Sequence, residues 1–538
     1  MVRKEGIARE RIDDREVISA ITHRVVTRLS HDELDILLNE TVFMEEKRLR
    51  GTKDPESSAY LAMLRDVRSH LARASQRDLE VLMRRVVETY AAEIHGHFDA
   101  KTYASATRVL PKGLALLLKR QKPWKLLTQG MRGLTLSDRI ISSGHIDTFD
   151  RLVERGTVVL VPTHLSNLDS PVVGFALHQN NLPPMIYGAG INLFTNWLLS
   201  YFMDHLGAYK VDRAKQHGLY KECLKEYSQY ALERRWHSLF FPGGTRSRSG
   251  RVETKLKKGL MGTGLAAYQE NLRSGREHPR VYFVPMTINY RLVLEAETLV
   301  EDSLAEEGKS RYIITDDEFS RPDKVISFVR KMAAMDSSVE VFFGQPLDPF
   351  GNPVNADGDS MDPQGRTFDP SGYVCRDGEV IADSQRDRIY TNRLAGAIGQ
   401  AFLKDNVVFE THVFAAVMHR MLAQVRPGLD LYRRLLLGPE DRVFSTQEVD
   451  AELDHVLKAL RVMRDAGTIR LNRALTTGTA TDIRHAAIGQ LGMVHSVAAV
   501  RDRGDGTILL EEPKLALYYA NRLENYPLPP PLPRGGVA

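Results

Sequence analysis

The feature that most limits how this 538-residue chain can fold is a short apolar run ending in polar turn residues. Thr157-Val158-Val159-Leu160-Val161 passes directly into Pro162-Thr163-His164-Leu165-Ser166-Asn167-Leu168-Asp169. The run is β-branched and only a few residues long, as a strand buried on both faces would be. Ser166, Asn167 and Asp169 are all residue types that start helices, and Pro171 suits a first helical turn. His164 is therefore expected at the carboxyl end of a core strand and Asp169 at the mouth of a helix. In one continuous helix a five-residue separation turns two side chains apart, so the strand-turn-helix break is what can bring imidazole and carboxylate together. Two readings are open at this point. One is a general base with its orienting carboxylate. The other is a structural histidine beside an ordinary helix cap.

The surrounding pattern alternates short apolar strands with helical stretches. Strands are expected at 158–161, 184–187, 208–211, 238–241, 281–290 and 339–343, with helices such as 216–234 and 256–271 between them. That alternation predicts an α/β domain with a largely parallel sheet whose functional groups gather at strand ends. The domain is drawn over residues 106–348. A helical N-terminal domain, 1–105, precedes it. A loop and hairpin insertion, 349–388, follows, with an Asp377-Gly378 turn. The region 389–525 is mainly helical, with one more turn and strand near 504–510, and 526–538 is a Pro-rich extended tail.

Composition narrows the classes further. The 73 basic and 69 acidic side chains nearly balance, so any anion-binding surface has to be local. Cys223 and Cys375 are far apart and lack metal-ligand spacing, which fits neither a disulfide framework nor a cysteine metal site. No secretory signal and no membrane span is evident. The nearest apolar stretch, 191–203, reads as a buried core helix or as an interfacial one with Trp197 and Phe202 at lipid headgroups. The basic segment 114–128, with Trp124 among lysines, reads as a surface helix and connection or, as the second reading, as a contact with anionic lipid headgroups. Asn355 to Asp359 superficially matches a calcium loop, but its ligand spacing is wrong.

Three further stretches have chemistry that could join His164 and Asp169. Gly207 to Arg213 ends a strand by presenting Arg213. Phe240-Phe241-Pro242-Gly243-Gly244-Thr245-Arg246-Ser247-Arg248 opens a strand into glycines, hydroxyls and arginines, continued by Lys255, Lys257 and Lys258. Glycine allows close backbone approach, and the arginine fork matches phosphate oxygens; the spacing is not that of a P-loop. No aromatic interleaving supports a nucleic-acid surface. Val284-Pro285 interrupts a strand, as an edge or strand-end proline would.

Taken in order, these four blocks resemble the glycerolipid acyltransferase family, and the long helical flanks resemble its larger branch, of the bacterial glycerol-3-phosphate acyltransferase type. The resemblance implies an αβ catalytic domain that moves a fatty acyl group from acyl-CoA or acyl carrier protein to the 1-hydroxyl of glycerol 3-phosphate. His164 would be the base and Asp169 its orienting partner. Arg213 and Arg246 would hold the acceptor phosphate, Gly244, Thr245 and Ser247 would shape that pocket, and Pro285 would form a wall. It implies no cofactor and no metal beyond the acyl carrier as co-substrate, and peripheral attachment at the cytoplasmic face of the cell membrane. Lysophosphatidate or dihydroxyacetone phosphate are alternative acceptors. One position departs from the family pattern: the third block usually has Glu where this chain has Gly243. That loss of a carboxylate motivates a rival of another class, a catalytically weak lipid-binding or scaffold relative.

Overall fold

A computed structural model of the chain describes residues 13–97 except 53 and 72, and residues 140–191, 207–307, 339–492 and 497–533. Seven strands form the central sheet: β1 (Ile140–Gly144), β2 (Thr157–Pro162), β3 (Ile186–Gly190), β4 (Ala208–Val211), β5 (Ser238–Leu239), β6 (Val281–Tyr290) and β7 (Val339–Phe343). Their order across the sheet is β1-β7-β6-β2-β5-β3-β4. Every pairing is parallel except β6 with β7, where Met286 faces Phe343 and Tyr290 faces Val339. The two central strands, β2 and β6, run in register from Thr157 opposite Val281 to Pro162 opposite Met286, and each is buried along its whole length. Both are rich in β-branched and aromatic side chains, which suit a strand covered on two faces.

Two apolar cores cover the sheet. On one face Val158, Leu160, Val284 and Ile288 join Val413, Phe414 and Met418 of helix Glu410–Val425, together with residues of helices Thr446–Asp465, Ala480–Leu491 and Pro513–Ala520. On the other, Val159, Val161 and Phe283 pack with Leu265 and Tyr268 of helix Gly259–Arg273 and with Ile398 and Phe402 of helix Ser384–Asp405. The C-terminal helices thus share a core with the sheet.

The N-terminal helices form a third core. These are α1 (Asp14–Arg28), α2 (His31–Arg48), α3 (Pro55–Leu71) and α4 (Gln76–Ile94). Ser30 and Ser75 open α2 and α4 with reciprocal capping boxes to Glu33 and Asp78. Their apolar faces close on Leu219, Tyr220, Cys223 and Tyr227 of helix Gly218–Glu233, which follows β4. Arg24 fastens the bundle there, donating to both Glu233 oxygens at 2.8 and 2.6 Å.

The alternating pattern gave most of the sheet, with three differences. Residues 184–187 were expected as a strand, yet pairing begins at Ile186, whose N–H bonds His237 O at 2.9 Å; Pro184 has no N–H to offer. The strand expected over 238–241 stops at Leu239, because after one bond from Phe240 N–H to Leu160 O the chain turns at Pro242. β1 had no readable signal, its sequence Ile140-Ile141-Ser142-Ser143-Gly144 being mostly small and polar. The Asp377-Gly378 hairpin forms, with positive φ at both turn residues. The Pro-rich end is extended but held: Arg420 donates to Pro529 O at 2.6 Å and Leu532 N–H to Glu452 at 2.9 Å. The segments 114–128 and 192–203 lie outside the described residues. Among the described residues no helix is long and apolar enough to cross a membrane.

Candidate functional site

The site is assembled where β2, β5 and β6 end or bend. Beyond Pro162 the chain stays tied to β6, because Thr163 N–H donates to Met286 O at 2.9 Å and Thr163 Oγ1 accepts from Ile288 N–H at 3.0 Å. The turn that follows carries His164, and helix Asp169–Gln179 begins immediately after it. Asp169 does not cap its own helix in the usual sense. Its Oδ2 reaches back to accept from Leu165 N–H at 2.6 Å and Ser166 N–H at 2.9 Å, and it lies 2.8 Å from His164 Nδ1. Its Oδ1 accepts from the Tyr290 hydroxyl at 2.7 Å. The carboxylate is fully buried yet has four donors, and it sits at the positive end of a helix, an environment that suits an anion.

These bonds fix the histidine tautomer. A ring nitrogen 2.8 Å from a carboxylate oxygen is the donating one, so the proton is on Nδ1 and Nε2 is left with its lone pair. The ring lies nearly parallel to Phe241, with centroids 4.2 Å apart and planes 25° from each other. The His164 side chain is 14% exposed against 0% for Asp169, so only the imidazole can be reached from outside.

The basic loop after β5 lies against this turn. Ser247 N–H donates to His164 O at 2.8 Å, and Ser247 Oγ donates to Arg251 O at 2.9 Å. Gly244 has a φ of 76°, which favours glycine, and a Cβ there would run into the Lys257 side chain. Thr245, Arg246, Ser247, Arg251 and Glu253 line a cleft of about 420 Å³, with Arg248 paired to Glu306 on its far wall. Arg246 donates to Glu295 at 3.3 Å, and Glu295 also accepts from Ser166 Oγ and Asn167 N–H, each at 2.9 Å. Burial pushes the Glu295 carboxyl above its usual range, against the pull of these partners. One buried carboxylate therefore joins the histidine turn to the arginine loop.

Arg213 follows β4 on the opposite side. Partial desolvation, and after it the like charge of Arg246, holds its guanidinium below the ordinary value. Lys215, just beyond, anchors this loop to the N-terminal bundle: it pairs with Glu93 and lies 4.9 to 5.4 Å from the ring centres of Tyr60, Tyr90 and Tyr220.

The C-terminal segment clasps the basic loop from outside. Asn521 donates to Ser249 O at 2.8 Å and Asn525 to Val252 O at 3.1 Å, while Glu524 pairs with Arg251. Gly250 has a φ of 78°, and any Cβ there would strike the Tyr518 carbonyl.

Of the residues predicted from sequence, His164 and Asp169 are in direct contact. Thr245, Arg246 and Ser247 line the cleft and Gly244 shapes the turn into it; His164, Asp169 and Arg213 are not among its lining residues, and the link to the histidine turn is the Ser247 N–H bond to His164 O. Pro285 is placed differently from the edge or strand-end position expected of it. It lies in the middle of β6, opposite Val161, and is not among the residues lining the cleft. Its carbonyl accepts from Gly344 N–H at 2.8 Å, while its nitrogen on the same side has no N–H to return, and the β6-β7 pairing ends at Met286 opposite Phe343. Sequence reasoning missed Tyr290, Glu295, Glu253 and Phe241. One of these had a signal: Glu253 is the one acidic residue between Arg246 and Lys258.

Residues 145–289 match the family model described as Acyltransferase. Among curated proteins, the chain is 31% identical over 214 residues to a glycerol-3-phosphate acyltransferase of Actinobacillus succinogenes, covering 39% of this chain and 24% of that one. It is 29% identical over 208 residues to that of Pseudomonas fluorescens, covering 38% and 23%. The match thus spans about a quarter of the length of these relatives. Among solved structures, the 1-acyl-sn-glycerophosphate acyltransferase of Thermotoga maritima aligns over 46% of this chain and 72% of its own at 15% identity, with a TM-score of 0.23.

Proposed function

We propose, with the acyltransferase family match over residues 145–289 as premise, that this protein transfers a fatty acyl group from an acyl thioester to the 1-hydroxyl of glycerol 3-phosphate. The observation that carries this reading is the His164-Asp169 pair at 2.8 Å, which leaves Nε2 as the accepting ring nitrogen, on a turn bonded through Ser247 to the arginine loop. His164 Nε2 takes the proton of the acceptor hydroxyl as its oxygen attacks the thioester carbonyl. Asp169 keeps the ring in that tautomer and stabilises the imidazolium that forms. When the tetrahedral intermediate collapses the C–S bond breaks, and the imidazolium proton goes to the departing thiolate. The acceptor phosphate lies between Arg213 and Arg246, whose forks suit its oxygens. Acyl-CoA and acyl carrier protein both present such a thioester. A site of this kind works at the cytoplasmic membrane surface, where its lipid product partitions.

The test is product formation by the full chain with lipid vesicles and each donor, offering glycerol 3-phosphate, dihydroxyacetone phosphate and lysophosphatidate separately. Product from glycerol 3-phosphate that is lost in His164→Ala is expected. If no acceptor yields product with either donor while acyl thioester still binds, the lipid-binding scaffold reading replaces this one.

A further inference from the structure

The most unusual group in the cleft is one that the mechanism above does not use. Glu253 lies on the cleft wall, and its carboxylate occupies the space beside Gly243. A Cβ built on Gly243 would fall 2.5 Å from Glu253 Cδ, and closer still to both oxygens. Gly243 does not have the left-handed φ of its neighbour Gly244, so its backbone does not demand glycine; the Glu253 carboxylate does. Glu253 Oε2 is buried and has no hydrogen-bond partner among the described residues. An acceptor atom buried without a donor costs about 1–3 kcal/mol, a cost that a donor on a bound molecule would offset.

What a bound acceptor could offer follows from the chemistry. A phosphate held by Arg213 and Arg246 is itself an anion and gains nothing from a carboxylate. A hydroxyl that is not being acylated is a donor, and the Glu253 carboxylate on the cleft wall it shares with Arg246 is its complement. Resting on the glycerol 3-phosphate reading above, we propose that Glu253 is a specificity-determining residue that accepts a hydrogen bond from the acceptor's second hydroxyl, so the site selects phosphorylated acceptors that keep a free hydroxyl next to the one acylated. Dihydroxyacetone phosphate has a carbonyl at that carbon, an acceptor facing an acceptor. Lysophosphatidate has its neighbouring oxygen already esterified. Sites built to bond a substrate hydroxyl discriminate strongly against analogues that lack it, because the buried group is then left unmatched. Burial pushes the Glu253 carboxyl up to about 7, against the attraction of Arg522, with Asp169 adding to the rise and Lys257 opposing it, so the ionised, accepting form gains weight as pH rises past that value.

The experiment compares kcat/KM for glycerol 3-phosphate and dihydroxyacetone phosphate in the full-length protein and in Glu253→Ala, Glu253→Gln and Gly243→Ala, with thermal melts to establish folding. Expected is a wild-type preference for glycerol 3-phosphate that falls at least tenfold in Glu253→Ala, mainly through the KM of that acceptor. Glu253→Gln, whose amide oxygen still accepts, keeps part of the preference. Gly243→Ala retains the carboxylate in the chain but displaces it, and loses preference as Glu253→Ala does. Should Glu253→Ala fail to fold, the other two variants decide. A preference that is absent in the wild type, or unchanged in the variants even though both acceptors decline together, overturns the role of Glu253 and leaves the proposed reaction standing. Absence of product from every acceptor in the wild type overturns the reaction itself.

Discussion

The hydroxyl of Tyr290, the last residue of the central strand β6, donates to Asp169 Oδ1 at 2.7 Å. The bond reaches the one oxygen of that carboxylate not engaged by the histidine turn. The position of Asp169 thus depends on a strand far from it in sequence.

Tyr290→Phe removes this donor and leaves a buried anionic oxygen one bond short. Such a loss costs roughly 1–3 kcal/mol. The expected result is a lowered urea midpoint and a kcat reduced about tenfold with the acceptor KM little changed. A variant with wild-type kcat would show that three bonds suffice to hold Asp169.

Glu295→Gln tests the bridge between the two halves of the site. The amide keeps the shape but replaces one accepting oxygen with a donor, which opposes Arg246 and the Asn167 N–H. The acceptor KM should rise about tenfold while the KM for acyl donor stays near wild type. An equal change in both would mean that Glu295 supports the fold in general.

Lys215→Met asks what the N-terminal helices contribute. The lysine is buried in a tyrosine cage against Glu93, two residues from Arg213. Methionine preserves much of the packing but leaves Glu93 without its cation, a loss on the order of 3 kcal/mol. Acceptor KM should rise through the loosened Arg213 loop, read from kinetics and melts on the same protein. Lost stability with an unmoved KM would separate the bundle from acceptor binding.

Stability should depend on acid through His412. Its Nε2 donates to Tyr290 O at 3.1 Å and its Nδ1 accepts from Phe409 N–H at 3.2 Å, so it is held neutral behind the site. Burial, then the charge of Arg522, lowers it from 6.5 to about 3. A depressed basic group stabilises the fold above its unfolded value and loses that contribution as pH falls toward the folded one. Between pH 6.5 and about 3 the loss approaches 1.4 kcal/mol per pH unit. The stability gap between wild type and His412→Gln, from urea unfolding, should therefore shrink from pH 7 to pH 4. A constant gap would show that His412 does not titrate on unfolding.

Most of the sheet could be read in the sequence, because β2, β6 and β7 are dominated by β-branched and aromatic residues, the types that suit buried strands. β1 could not: its pairing with β7 is set by backbone bonds that its small polar residues do not announce. The four sequence blocks located the histidine, the aspartate and the arginine loop. They did not disclose Tyr290, Glu295 or Glu253, because each acts through a tertiary contact tens of residues or more from its partner, or, for Glu253, through the space a glycine leaves empty. Pro285 misled for a related reason, since which side of a strand a proline nitrogen faces is decided by register.

The clasp formed by residues 518–525 over the loop 249–252 also has a consequence in time. A ribosome delivers this chain from the N-terminus, so β2, the histidine turn and the arginines emerge hundreds of residues before Asn521, Glu524 and Asn525. Until those last side chains arrive, the basic loop lacks its outer supports, and contacts of such long sequence separation are slow to form. Nascent and prematurely terminated chains would carry every block of the site yet remain unable to hold the acceptor loop in place.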